Sequence, residues 1–338
     1  MMDTRTEEAV GLLRRLVATP SVSRDEARTG DLLHAFLAER GAAPERLHNN
    51  VWARSAGFDP ARPTLLLNSH HDTVRPAASY TRDPYDPAVE GDRLYGLGSN
   101  DAGASVVALA ETFLAFRSRP LPFNLVLALT AEEECMGERG IRALLPVLGP
   151  IDMALVGEPT GMQPAAGAAM RPATRGSTPS TSRSTTSPAC GHSASSGSRR
   201  CWGPSESPSR RSRRVRSTTS CPTSAASSPT SARRTPTRTR RRSKSSAARS
   251  VRKPCPARRA SAAVADDHPL MRAARAAGRR TFVSPTTSDR TLMPFPALKM
   301  GPGESERSHT ADEYVCLSEI AEGIAVYETY IEKLASEL

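Results

Sequence analysis

Between residues 166 and 261 the chain contains no Leu, Ile, Phe or Tyr, and its sizeable apolar side chains are Met170, Trp202, Val215 and Val251. Ser, Thr, Arg, Pro and Ala fill the remainder. Such a stretch buries too little apolar surface to offset the entropy of ordering its backbone, so disorder is expected. A folded core must then come from two separated pieces, residues 1–165 and 262–338. Charge divides the same way. The tract carries 22 Lys/Arg against one acid, Glu206, whereas the rest holds 24 Lys/Arg and 34 Asp/Glu. The net charge of +11 thus describes an acidic protein with a very basic insert. An argument for nucleic-acid binding rests on the insert alone.

The flanking pieces follow the grammar of a folded α/β domain. Val10, Leu12, Leu13, Leu16 and Val17 mark an amphipathic helix over 4–18, and Leu32, Leu33, Phe36 and Leu37 a second over 26–40, stopped by Gly41. Short apolar runs at 51–53, 63–69, 124–130 and 153–156 read as strands, with helices at 104–116 and 138–147 between them and a loop over 76–95. After the tract, helices are expected over 268–278 and 317–334 and a strand at 298–300. This order gives an α/β fold, a central sheet covered by helices. No apolar run reaches the length of a bilayer span. The acidic start of the chain lacks a signal-peptide apolar region, so a cytoplasmic location without membrane contact is expected. Six cysteines show no paired metal or redox spacing.

Three of the strands end in acids or histidines. Thr64–Ser69 runs into His70-His71-Asp72, Asn124–Thr130 into Glu132-Glu133-Glu134, and Met153–Val156 into Gly157-Glu158. In open α/β sheets ligands sit beyond the carboxyl ends of strands. Asp101, in a Gly-flanked loop, and His309, in Ser308-His309-Thr310-Ala311-Asp312-Glu313, complete the candidates. Neutral imidazole binds metal, and a neighbouring carboxylate such as Asp72 can fix its tautomer. Each residue also has a plainer reading. Asp101 could cap the following helix, the Glu run could be a solvated face, Glu158 a turn acid and His309 a surface loop residue.

Taken together, the stretches Ser69–Val74, Gly98–Gly103, Thr130–Glu134, Gly157–Thr160 and Ser308–Glu313 resemble, in content and order, the zinc metallohydrolases that include acetylornithine deacetylase, succinyl-diaminopimelate desuccinylase, aminoacylase and carboxypeptidase G. The resemblance covers residues 1–165 and about 262–338. It implies a phosphorylase/hydrolase-like catalytic domain with a central mixed sheet, and two divalent metal ions, zinc first, with cobalt or manganese as alternatives. Asp101 would bridge both ions, His70 and Glu158 would complete one, and Glu134 and His309 the other. Asp72 would orient His70, and Glu133 would be the general base. The wording of Gly157–Pro164 and Ser284–Asp289 is most similar to the deacetylases and related deacylases of the arginine and lysine routes. A small N-acyl amino acid such as N-acetylornithine is therefore the first substrate expectation, with a desuccinylase or dipeptidase as runner-up. The glycines at 301–303 could offer backbone N–H groups to substrate or simply form a turn.

In that family a lid domain, which also makes the homodimer, lies between the Glu158 and His309 regions. Here the basic tract stands in its place. It reads as the lid's gene in a shifted frame. A one-base shift lets Thr218–Thr223 encode His-Asn-Val-Val-Pro-Asp, Ser227–Arg233 encode Phe-Val-Ala-Asp-Val-Arg-Thr, and Arg199–Pro204 encode Ser-Pro-Leu-Leu-Gly-Pro. A different class of reading takes the Arg/Ser tract as a disordered RNA-binding segment, although its lack of aromatics argues against base stacking.

Overall fold

The computed structural model describes residues 3–168, 264–284 and 286–338. The expected disorder of the basic tract therefore lies outside the described residues, apart from 166–168. Those three belong to a strand, so the sheet extends past the boundary expected at 165. Small residues at Ala165-Ala166-Gly167-Ala168 carry no β-branched or aromatic signal, and backbone pairing with neighbours holds them instead.

In chain order the elements are α1 (Thr4–Val17), α2 (Ala27–Glu39), β1 (Glu45–Leu47), β2 (Asn50–Arg54), β3 (Thr64–His70), β4 (Val89–Glu90), β5 (Arg93–Tyr95), α3 (Ala104–Phe116), β6 (Asn124–Thr130), α4 (Ile141–Leu148), β7 (Met153–Val156), β8 (Ala165–Ala168), α5 (Pro269–Ala276), β9 (Phe282–Ser284), β10 (Ala297–Lys299), β11 (Tyr314–Cys316) and α6 (Leu317–Glu337). Asp3 caps α1 by accepting from the Arg5 and Thr6 backbone N–H groups. Gly41, at φ +72°, follows the end of α2 as expected. The segment read as a loop over 76–95 contains the β4–β5 hairpin, turning at Gly91 (φ +60°). Strands of two and three residues are too short for periodicity to reveal.

The eight-stranded sheet has the order β1-β2-β6-β3-β7-β10-β8-β9. Its centre, β6-β3-β7-β10, is parallel, whereas β2 joins β6, and β8 joins β10, antiparallel. Both faces are covered, which explains the unbroken apolar runs of β3 and β6. Leu65, Leu67, Leu125, Leu127, Met153 and Leu155 pack into the cluster containing α1, α2, α3, α5 and α6. The alternate residues Leu66, Val126, Ala154 and Val156 pack on the other face with Ile141, Leu144 and Leu148 of α4. A second sheet, β11-β5-β4, ties the chain's late segment to the loop before α3. No helix among the described residues is long and apolar enough to cross a membrane.

One acid sits poorly in this core. Glu111 of α3 is 3% exposed, and its Oε1 has no hydrogen-bond partner among the described residues. Burial, with the Glu8 charge adding to it, pushes its pKa up to about 7, against the pull of Arg40 and Arg5. Because the folded-state pKa is raised, stability falls as pH rises from the ordinary value through about 7 and stays low above it. Glu111→Gln is expected to stabilise the fold by about 1–2 kcal/mol at pH 8, after allowance for solvent screening, and by little at pH 5. Urea unfolding at the two pH values measures the difference.

Candidate metal centre

The parallel register brings the carboxyl ends of three strands level. His70, the last residue of β3, is opposite Thr130 at the end of β6, and Asn68 is opposite Val156 at the end of β7. The segments that follow, Glu132–Glu134 and Gly157-Glu158, therefore leave the sheet beside His70. Asp101 arrives on the irregular turn before α3, next to a cis Asp101–Ala102 peptide, and His309 on the loop before β11.

His70 is buried, and its two ring nitrogens face different partners. Nδ1 donates to the Asp72 carbonyl at 3.0 Å and lies 3.5 Å from Asp72 Oδ1. That leaves Nε2 toward the acids, 3.3 Å from Asp101 Oδ1, 3.9 Å from Glu158 Oε1 and 4.0 Å from Glu133 Oε2. The other carboxylate oxygen of Asp101 is 3.6 Å from His309 Nε2, which is 2.9 Å from Glu134 Oε1. Asp101 thus stands between two imidazoles, each with a glutamate beside it. Asp72 is fully buried and does more than orient His70. Its Oδ1 accepts from the Glu133 N–H at 3.0 Å, and its Oδ2 from the Glu134 N–H at 3.2 Å and the Ser23 hydroxyl at 2.7 Å. Asp72 therefore holds the imidazole through its carbonyl and the backbone of the acidic loop through its carboxylate.

The plainer readings do not describe these side chains. The N-cap of α3 is Gly103 and receives no side-chain hydrogen bond, so Asp101 is not a cap. Glu132 and Glu158 are buried and Glu133 and Glu134 half-buried, so the run is not a solvated face. His309 remains about half exposed, at φ +58°, with its ring turned to Glu134.

Crowding of like charge and burial shift the pKa values of the cluster. Burial pushes Glu133 well above the usual carboxylate range, with Glu158, Asp289 and Glu134 adding to it and His70 opposing. Burial likewise raises Glu158 to about 7, opposed by Lys299 and His70. Burial acts against the charged form of His70, but Asp101 and Asp72 overcome it and hold its pKa well above the ordinary value. Glu134 raises His309 to about 9. The donor set fits a divalent cation: imidazole and carboxylate suit zinc and its neighbours, and ligand atoms of His70, Asp101 and Glu134 lie within 4.8 Å of one another. A cavity of about 480 Å³ opens above them, lined by Asp101, Glu133, Glu134, Glu158, Lys299 and His309 among others.

Sequence reasoning passed over two charged neighbours. Lys299 ends β10 with its side chain 2% exposed, donating to the Thr286 hydroxyl and placing Nζ 3.7 Å from Glu158 Oε2. Asp289, also buried, accepts from the Thr130 hydroxyl at 2.8 Å. Burial raises it to about 6, and His70 pulls it down. A lone Lys closing the apolar Ala297-Leu298 run was the available signal for the first, since a charge on a central strand must face a site or a partner. Glycines 301 and 303 serve packing. A Cβ on Gly301 would meet the Glu158 backbone at 2.5 Å, and one on Gly303 (φ +85°) would meet Asn100 Oδ1 at 2.3 Å.

An α/β sheet with imidazole and carboxylate donors gathered at its carboxyl edge defines a metallohydrolase-like centre. The model of peptidase family M20/M25/M40 matches residues 66–333, and the chain belongs to that family of hydrolases. Among similar proteins, succinyl-diaminopimelate desuccinylase of Delftia acidovorans is 31% identical over 169 residues, 45% of this chain and 44% of that relative. The enzyme of the same name from Acidovorax ebreus is 33% identical over 174 residues, again 45% and 44%. The chain therefore spans less than half the length of these curated relatives. A solved structure titled as an M20 family metallo-carboxypeptidase from Sulfolobus solfataricus matches with a TM-score of 0.40 and 21% identity, covering 49% of this chain and 41% of that one.

Proposed function

We propose that the site is a two-metal centre for hydrolysing the amide bond of an N-acyl amino acid. The observation that carries this is the placement of Asp101 between His70 and His309, each imidazole with a glutamate at its side. His70, Glu158 and Asp101 would hold one ion, and Asp101, Glu134 and His309 the other. When bound, such ions supply Lewis acidity, which acidifies water and polarises a carbonyl. The protein's own residues do the rest. Asp72 keeps the His70 proton on Nδ1 and holds the Glu133–Glu134 backbone in place. Glu133, which lines the cavity beside His70 Nε2, takes a proton from the attacking water and passes it to the leaving amine.

N-acetylornithine remains the first substrate, on the wording of Gly157–Pro164 and Ser284–Asp289. N-succinyl-diaminopimelate is the second, because the matched relatives carry the desuccinylase name. The tract at 166–261 is read as a lid translated out of frame. It lacks the apolar residues a lid needs, so substrate would lose its clamp and the dimer its interface. The literal chain is expected to bind metal yet hydrolyse amides slowly or not at all, and a frame-restored chain to hydrolyse them at an ordinary enzymatic rate. The test assays both chains on N-acetylornithine, N-succinyl-diaminopimelate and dipeptides. Failure of the restored chain on every amide would contradict the proposal, as would an ordinary rate from the literal chain for the reading of the tract. The nucleotide sequence checks that reading independently. If the tract's codons yield no lid-like protein in any frame, the basic RNA-binding reading gains.

A further inference from the structure

Two of the site's acidic and imidazole ligands come from segments with no regular structure to hold them. Asp101 lies in a turn with φ −117° and ψ 97°, outside helical geometry, and His309 on an exposed loop with positive φ. What joins these segments is a clasp beneath the site. The Glu313 side chain is buried, and its Oε1 accepts from the Asn100 and Asp101 backbone N–H groups, both at 2.9 Å. Its Oε2 accepts from the Gly98 N–H at 3.2 Å, and its carbonyl from the Gly96 N–H at 2.9 Å. Asn100, fully buried, answers from the other side. Its Oδ1 accepts from the Glu304 N–H at 3.0 Å, and its Nδ2 donates to the Glu304 carbonyl at 3.1 Å. The segment carrying His309 is thus fastened at residues 304 and 313 to the turn carrying Asp101. Gly303 permits this approach, since any Cβ there would strike the Asn100 amide.

We propose that Glu313, assisted by Asn100, is a positioning residue that sets the spacing of Asp101 and His309 and so builds the His309 half of the metal centre. The proposal rests on the metal reading above. The two halves differ in support. His70 ends a central strand and Glu158 follows its neighbour β7, so the sheet itself aims them. Glu134 and His309 come from loops, and their register with Asp101 depends on tethers. Glu313 does not line the cavity and bonds the Asp101 backbone, not its carboxylate, so its removal leaves every donor in the chain.

Cobalt(II) alone is the probe, titrated into the metal-free full chain and followed by its visible absorption. The wild-type chain is expected to take up two equivalents. Glu313→Ala is expected to keep the first and to bind the second about 10- to 100-fold more weakly, the range for loss of a residue that orients a ligand. Glu313→Gln retains an oxygen for Asn100 and Asp101 but turns a donor on the Gly98 N–H, and is expected to show a smaller loss of the same ion. It carries the test if the alanine variant does not fold, as judged by circular dichroism. His309→Ala should weaken the same equivalent, and the double variant should lose little beyond it. Two ions bound by the Glu313 variants with wild-type affinity would overturn the clasp alone. Equal weakening of both ions would overturn it too, marking a general effect on folding. A wild-type chain that takes up no cobalt would overturn the metal reading and the clasp with it.

Discussion

Glu133→Gln in a frame-restored chain is expected to lower kcat by about 10²- to 10⁴-fold, the usual weight of general acid–base catalysis. KM should change little, and metal uptake should not change. The expectation follows from where Glu133 stands. Its Oε2 is 4.0 Å from His70 Nε2, and its side chain lines the cavity. Asp72 grips its backbone N–H, so the amide variant should occupy the same position. Steady-state kinetics on the best amide, with metal content measured in parallel, provides the check. A fall in metal content equal to the fall in rate would make Glu133 a ligand instead of a base.

A larger effect is expected from Asp101→Ala, which should abolish hydrolysis and weaken uptake of both ions by more than about 100-fold. Among the described residues Asp101 forms a close pair with both imidazoles, at 3.3 Å from His70 and 3.6 Å from His309. Its loss also leaves those histidines facing Glu158 and Glu134 with no common carboxylate between them. His70→Ala and His309→Ala should each affect one ion more than the other. Calorimetric titration with zinc distinguishes these patterns. If Asp101→Ala removed only one ion, Asp101 would be a terminal ligand and the two halves would not share it.

The parts of the fold legible in sequence were those where burial is one-sided or complete over many residues. Helices α1, α2 and α6 showed their apolar faces, and β3, β6 and β7 their uninterrupted runs. The hairpin β4–β5 and the strands β8, β9 and β11 were not legible. They are two to four residues long, and backbone pairing with distant partners, such as Tyr314 with Tyr95, defines them. The candidate site was legible for a related reason. A charged group at the end of an apolar strand has few uses other than binding, and His70, Glu133, Glu134 and Glu158 all stand there. Lys299 and Asp289 escaped for different reasons: Lys299 meets Glu158 only through the fold, and Asp289 lies in a short turn away from the end of any apolar strand. Glu313 escaped because its work is done through backbone N–H groups, which carry no sequence signature.

Donors from five separated stretches are expected to meet around a pair of cations, and the zinc content of the purified full chain, after dialysis against zinc and removal of excess, tests this. Two zinc ions per chain are expected, with the second lost in His309→Ala. No bound zinc, or zinc retained unchanged in Asp101→Ala, would contradict it.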